Sequence, residues 1–293
     1  MINYLMSFCI ALLSVISVQA QAFKEPDQPV VLASIHPLAL VAASVVPTSH
    51  LNILVPPGMT PHDFSLRPSD IDLIQAADII VWSGVENEPY LKGFARRWPD
   101  KIWLDASEMR TAGMTSDPHI WFAPELMKRL QARLAGYLGV DGSGFAAAVD
   151  RAMTDSDVML AEVRQRGFFV FHRAYDHWVG ALQLNQLGAF TLTPEQRPGL
   201  RTLRQMRKQL ERGDVVCVFS EPEFSPALVN RLTDGLEIGR GELDPMAMHI
   251  AVTPTGYASM LLDMAAEART CLEKTLISEN ALDESALNED VLE

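Results

Sequence analysis

Short apolar runs alternate with longer amphipathic stretches through most of this chain. The apolar runs are rich in β-branched residues and predict eight strands, four in each half. These strands are residues 30–35, 51–55, 78–82, 101–104, 168–171, 189–192, 214–220 and 236–239. The amphipathic stretches predict helices, including residues 68–77, 124–138, 198–212 and 225–233. Because strands and helices alternate, we expect an α/β fold with mainly parallel sheets covered by helices.

One long stretch without glycine or proline separates the two sets of strands. It covers residues 145–166 and ends before Gly167, so it predicts a single helix about 33 Å long. Such a helix resists bending far more than a glycine- and serine-rich linker does. We therefore expect two similar lobes, residues 23–144 and 167–272, joined by one rigid helix.

The two ends of the chain differ from its body. Residues 1–22 hold an apolar run followed by small residues, which is typical of a secretory signal peptide, although no Lys or Arg precedes the run. Phe8 before Cys9 argues against a lipid-attached cysteine, so we expect a soluble protein exported to the periplasm. Residues 273–293 contain seven acids and one Lys, and predict an acidic tail that is either frayed helix or disordered.

Charge and cysteine content exclude several classes of protein. The 293 residues carry a net charge of −13, which argues against binding to nucleic acid or an anionic membrane surface. Three cysteines are too few for a four-thiolate metal site. Export would leave Cys217 and Cys271, which either form a disulfide in an oxidising compartment or remain buried thiols.

Three of the seven histidines lie where strands end or helices begin. His62 and His119 precede predicted helices, and His172 follows a predicted strand. In open α/β sheets, ligands bind at the carboxyl ends of strands, and Asp244 follows a strand in the same way. Two residues from each half could therefore meet in the cleft between the lobes. The pattern leaves an alternative open, in which the histidines face solvent and Asp244 caps a turn before Pro245.

The other four histidines have weaker contexts. His36 also follows a strand and is predicted to line the cleft or to support a ligand rather than to bind metal directly. His177 is expected on the surface of a helix, His50 in a turn and His249 in a loop.

Residues 30 to 272 resemble the periplasmic zinc-binding proteins of ABC metal importers, the cluster A-I (cluster 9) solute-binding family. The matching stretches occur in one order along the body: HDFSLRPSD, ADIIVWSG, HIWFAPE, FFVFHRAYDHW, TPEQRPG, CVFSEPEF and GELDP. The resemblance implies two lobes bridged by a long helix, with a metal ion between them. It also implies a monomer that passes Zn(II), its transported ligand, to a membrane permease with a cytoplasmic ATPase, without catalysis.

The same resemblance assigns roles to individual residues. His62, His119 and His172 match the three metal-binding histidines, and Asp244 matches an aspartate that coordinates or approaches the metal in parts of the family. It further implies a disulfide between Cys217 and Cys271.

This chain departs from the family pattern at three places. Pro61 stands where many zinc members have a glutamate, which leaves Asp244 or a water as the fourth ligand. Residues 108–117 correspond to a loop that is histidine-rich in many members, yet they contain no histidine. The acidic tail extends past the usual end of the family.

The types of ligand favour zinc over the alternatives. Imidazole suits zinc, whereas manganese prefers oxygen ligands, and manganese-binding relatives commonly have a carboxylate at the position of His172. A manganese- or iron-type carrier of the same family remains an alternative. So does a three-histidine zinc hydrolase with Glu195 or Glu221 as its base, although no HExxH motif is present. An adhesin-like relative is disfavoured because no lipid-attachment cysteine is found.

Overall fold

A computed structural model describes residues 28–191 and 198–289 of the chain. The predicted signal peptide, residue Leu192 of the sixth predicted strand, and Glu195 lie outside the described residues. The described chain contains two four-stranded sheets, and all strand pairs within them are parallel. The fold is therefore the predicted α/β arrangement of two similar lobes.

The first sheet has the order β2-β1-β3-β4, and the second has the equivalent order β6-β5-β7-β8. The strands are β1 Val31–Ala33, β2 Leu51–Ile53, β3 Ile79–Trp82, β4 Ile102–Asp105, β5 Gly167–His172, β6 Gln186–Thr191, β7 Val215–Ser220 and β8 Gly239–Glu242. In each lobe the first strand in the chain lies in the interior of the sheet. This order places the loops after neighbouring strands along one edge of each sheet.

Helices follow most of the strands. They are α1 His36–Ala42, α2 Pro68–Ala76, α3 Lys92–Arg97, α4 Pro124–Leu138, α5 Ser143–Leu160, α6 Asp176–Leu182, α7 Leu200–Leu210, α8 Ala227–Thr233 and α9 Gly256–Glu289. Proline opens α2 and α4, where its missing N–H costs no hydrogen bond. Gly139 ends α4 in the left-handed conformation.

The helix between the sheets, α5, is shorter than the predicted run of residues 145–166. It begins two residues earlier, at Ser143, and ends at Leu160, which makes it about 27 Å long. Beyond it, Val163 donates its N–H to Leu160 and Arg166 donates to Val163, so tight three-residue turns replace the helix before β5. The sequence does not predict this end because no glycine or proline marks it.

A second helix also connects the lobes. Helix α9 packs against α5, and it contacts α1 in the first lobe as well as β7 and β8 in the second. One continuous core, which includes Leu32, Trp121, Tyr175 and Tyr257, extends through both lobes. The two lobes are thus held together by shared packing as well as by the α5 connection.

Strand β8 lies three residues later than the predicted strand at 236–239. Its residues read Gly-Arg-Gly-Glu, so no apolar run marks it. A Cβ on Gly241 would lie 2.8 Å from the Phe219 ring and 3.0 Å from the Cβ of Cys271. The strand therefore needs glycine for this close approach, whereas Leu236 and Ile238 pack on a separate apolar cluster under α7 and α8.

The disulfide implied by the family resemblance is confirmed. Cys217 of β7 and Cys271 of α9 are bonded, with their Cα atoms 6.0 Å apart. The backbone of α9 stays helical through Glu289, so most of the predicted acidic tail continues this helix. Within the described ranges, no helix is both long and apolar enough to cross a membrane.

Candidate metal centre

Three histidines from separate segments converge between the two lobes. His62 lies in the loop between β2 and α2, His119 lies just before α4, and His172 is the last residue of β5. Nε2 of His119 is 3.2 Å from Nε2 of His62 and 3.2 Å from Nε2 of His172. All three potential ligand atoms lie within 4.8 Å of one another. The structure thus brings together the three predicted histidines.

Asp117 orients the ring of His119. The His119 ring donates its Nδ1–H to Oδ1 of Asp117 at 2.6 Å, and the His119 backbone N–H donates to the same oxygen at 3.0 Å. Because Nδ1 carries the proton, Nε2 presents its lone pair. Asp117 thus fixes the direction of the His119 ring from two residues earlier in the sequence.

Glu221 does the same for His172. It follows β7, the strand beside β5, and its two carboxylate oxygens accept from Nδ1 of His172 at 2.7 and 2.6 Å. The Tyr175 hydroxyl donates to Oε1 of Glu221 at 3.2 Å. Sequence reasoning considered Glu221 only as a possible base. The signal that could have revealed this role is its position at the carboxyl end of a strand neighbouring β5.

Because Nδ1 of each ring is bonded to a carboxylate, the neutral tautomers of His119 and His172 both present a lone pair at Nε2. Two such acceptors 3.2 Å apart repel each other, and a cation between them would relieve the repulsion. In a tetrahedral zinc site with Zn–N bonds of about 2.0–2.1 Å, neighbouring nitrogens are about 3.3 Å apart. The observed spacings therefore match the edges of such a site.

Burial and hydrogen bonding together set the protonation states of His119 and Asp117. His119 is 3% exposed, and burial lowers its pKa below the ordinary histidine value even though Asp117 acts in the opposite direction. Burial tends to raise the pKa of Asp117, but the hydrogen bonds that it accepts from the His119 ring and backbone outweigh burial and hold the pKa below its usual range. The site thus pairs a neutral imidazole with an ionised carboxylate.

Asp244 lies outside the histidine group. Its Oδ1 accepts the backbone N–H of Met246 at 2.8 Å, and its Oδ2 accepts that of Met248 at 2.7 Å. His249 Nδ1 is 3.4 Å from Oδ2. The carboxylate therefore stabilises the turn around Pro245, which is the role that the alternative sequence reading gave to it.

A cavity of about 590 Å³ opens beside Asp244. Carboxylates from Glu223, Glu242, Asp263 and Glu267 line it together with His249, and Gly58 of the His62 loop forms part of its wall. Its lining includes no Lys or Arg among the described residues. A concentration of one sign of charge in a concave surface attracts cations toward it.

The remaining histidines have other roles. His36 is bonded through Nε2 to the carbonyl of Ile250 at 2.9 Å, so it ties α1 to the loop after β8. His177 is predicted on the exposed surface of a helix, and this prediction is wrong. The side chain is buried where α6 packs against the first lobe, and its Nε2 lies 2.9 Å from the carbonyl of Asp117. His50 lies in a turn and its ring bonds to the Ser49 hydroxyl. His249 lies in the loop after β8 and its ring pairs with Asp263 of α9.

Two parallel-sheet lobes with a buried histidine cluster between them define a class of protein, the two-lobe solute-binding proteins that hold a metal ion. Solved structures share this fold. A crystal structure of ZnuA superposes with a TM-score of 0.70 at 22% identity, covering 82% of this chain and 98% of that one. The periplasmic zinc-binding protein TroA from Treponema pallidum gives a TM-score of 0.70 at 17% identity, covering 84% and 99%.

Sequence comparison narrows this class to one family. The model of the ZnuA family, described as zinc-uptake complex component A, periplasmic, matches residues 31–271. The high-affinity zinc uptake system protein ZnuA of Yersinia pestis is 29% identical over 292 residues, covering 83% of this chain and 91% of that protein. This chain therefore belongs to the ZnuA family of periplasmic zinc-uptake components.

Proposed function

We propose that this chain captures Zn(II) in the periplasm through Nε2 of His62, His119 and His172. The observation that carries the proposal is that Nε2 of His119 and Nε2 of His172 lie 3.2 Å apart while Nδ1 of each ring is bonded to a carboxylate, so that two neutral imidazoles would repel each other here. A divalent cation turns this repulsion into coordination. Zinc accepts three imidazoles readily, and its bonds to them fit the spacing.

Water completes the coordination in this proposal. Asp244 would have to release a backbone N–H bond to reach the metal, and each such bond to a charged group is worth about 1.5–3 kcal/mol. We therefore expect Asp244 to act through the acidic cavity and the turn rather than as a ligand. His36 ties α1 to the loop after β8 in the same scheme and takes no part in holding the ion.

The captured ion passes to the membrane permease of an ABC importer with its cytoplasmic ATPase, and the carrier acts as a soluble monomer. We propose for this carrier the domain boundaries that the sequence predicts. They are a signal peptide at residues 1–22, lobes at 23–144 and 167–272, a connection at 145–166 and an acidic tail at 273–293. The family description as a component of an uptake complex supports this delivery.

A zinc hydrolase is the second candidate, and the contacts of Glu221 argue against it. A general base must be free to take a proton from zinc-bound water. Glu221 instead accepts hydrogen bonds from three donors: the His172 ring, the His172 backbone N–H at 3.4 Å, and the Tyr175 hydroxyl. We infer that Glu221 orients a ligand and that the protein releases its zinc unchanged.

The test is metal content by native mass spectrometry. We expect one zinc ion per chain in the wild type, and loss of that zinc under dilution in His62→Ala, His119→Ala and His172→Ala. Asp244→Asn should keep the ion, because we place it outside the ligand set. If the three alanine variants retained one zinc with undiminished affinity, the proposed site would be wrong. Ester or peptide hydrolysis that depends on zinc would favour the enzyme.

A further inference from the structure

One carboxylate contacts both lobes at the metal centre. Oδ1 of Asp117 accepts from the ring and backbone of His119, while Oδ2 accepts the backbone N–H of Asp176 at 3.1 Å. Asp176 is the first residue of α6, in the second lobe. Asp117 therefore connects a metal-binding histidine of the first lobe to the beginning of a helix in the second.

A second bond reinforces this connection from the same helix. His177, the next residue of α6, reaches the backbone carbonyl of Asp117 with Nε2 at 2.9 Å. Both residues are only 6% exposed, so solvent does not weaken the contact. Helix α6 begins four residues after His172, which means that its position is linked to a ligand of its own lobe as well.

We propose that Asp117 and His177 form an inter-lobe latch that slows zinc release while the lobes are in contact. With α6 in place, Asp117 is held against the ring of His119, and Nε2 points at the metal. Separation of α6 from the first lobe removes the bonds from Asp176 and His177, which lets Asp117 and then the His119 ring rotate. Opening of the cleft and loss of a ligand are thereby coupled, and this inference rests on zinc binding by His119.

His177 is a positioning residue in this scheme, since it contacts no metal ligand directly. Its removal does not orphan the Asp117 carbonyl, because Arg110 also donates to that oxygen. The variant His177→Leu therefore removes the latch contact while leaving all three ligands and the buried carbonyl satisfied. His177→Gln places an amide N–H near the former Nε2 position and should restore the contact.

The chain offers a matched control in His36. Like His177, it is 6% exposed, and it bonds a carbonyl of the other lobe through Nε2 at 2.9 Å. Its partner, Ile250, donates its own backbone N–H to the carbonyl of Ala247 at 3.0 Å, in the turn after β8. His36→Leu thus breaks an equivalent inter-lobe bond that does not lead to a ligand.

The experiment first establishes that the wild type binds one zinc ion per chain. The rate of zinc dissociation from each variant is then measured by stopped flow with excess chelator. We expect His177→Leu to release zinc about tenfold faster with an unchanged association rate, and the visible spectrum of its cobalt(II) form to match the wild type. His177→Gln and His36→Leu should stay within about twofold of the wild type. If His177→Leu does not fold, Asp117→Asn decides, because its single amide oxygen cannot accept from both the His119 ring and the Asp176 N–H, so this variant should also speed release.

An unchanged dissociation rate in the folded His177→Leu variant would overturn the latch. So would an equal increase in His36→Leu, which would mean that lobe contact in general, rather than Asp117, retains the ion. Failure of the wild type to bind zinc would instead refute the proposed function, so the two failures are distinguishable.

Discussion

Nδ1 of His172 lies 2.6 Å from a carboxylate oxygen of Glu221, and both side chains are almost completely buried. This contact joins the ends of two neighbouring strands, β5 and β7, across 49 residues of sequence. It holds the His172 ring with Nε2 directed at the other two histidines. The geometry of the histidine group therefore depends on a carboxylate that lies outside that group.

Replacing Glu221 by Gln should weaken zinc binding by about 10- to 100-fold, because the amide loses the negative charge that strengthens His172 as a ligand. Competition with a chromogenic chelator measures this change. The matched control is Glu223→Gln, two residues away. Burial, together with the charge of Asp244, raises the pKa of Glu223 to about 8, so this group is largely protonated at pH 7 and resembles Gln. Equal losses in the two variants would contradict the assigned role of Glu221.

Zinc affinity should fall in acid, because protons compete with the metal for the imidazole nitrogens. Burial lowers the pKa of His119, so this ring stays neutral somewhat below the ordinary value of about 6.5. We expect constant affinity above pH 7 and at least about a tenfold loss by pH 5. Zinc titration at pH 7.5, 6 and 5 checks this, and an unchanged affinity at pH 5 would rule out a three-histidine site.

The same pKa shift predicts the stability of the metal-free protein. Below pH 6.5 the unfolded chain takes up a proton on His119 that the folded state resists, so the unfolding free energy should decrease as pH falls. Urea denaturation of the zinc-free protein at pH 7.5 and 5.5 measures the difference. His119→Gln, which cannot titrate, should show a smaller decrease than the wild type. An identical decrease in both would show that His119 does not contribute.

Manganese should bind far more weakly than zinc, because the converging atoms are three imidazole nitrogens and no carboxylate belongs to the group. We expect zinc to be preferred by on the order of a hundredfold or more. Calorimetry with each metal in turn gives the ratio. His172→Glu supplies an oxygen ligand and should reduce this preference. Comparable wild-type affinities for the two metals would support the manganese-type carrier instead.

Loss of the Cys217–Cys271 bond should destabilise the fold without removing the metal site. The bond spans 54 residues, and the chain entropy that it removes from the unfolded state corresponds to about 4 kcal/mol. Urea denaturation of a Cys217→Ala, Cys271→Ala variant measures this loss, and the wild type treated with reductant is the control. We expect one zinc per chain to remain. A loss below about 1 kcal/mol would show that packing of α9 alone secures the second sheet.

Much of the architecture could be predicted because its signals are local. Apolar runs and proline at helix starts placed six of the eight strands, all but β6 and β8, and the starts of α2, α4, α7 and α8 to within two residues. The exceptions lack such signals. Strand β8 contains two glycines that admit Cys271 and Phe219, and α5 ends in turns that no glycine or proline marks.

The sequence by itself supplied imidazoles at strand and helix ends, a ligand type that suits zinc, and the family resemblance selected His62, His119 and His172 among the seven histidines. Only the tertiary structure decided which groups serve these histidines. Asp117 and Glu221 orient the rings, His177 is buried against Asp117, and Asp244 stabilises a turn outside the histidine group. The physical reason is distance along the chain. Periodicity and capping act over a few residues, whereas a partner 49 or 60 residues away is selected by strand order and packing.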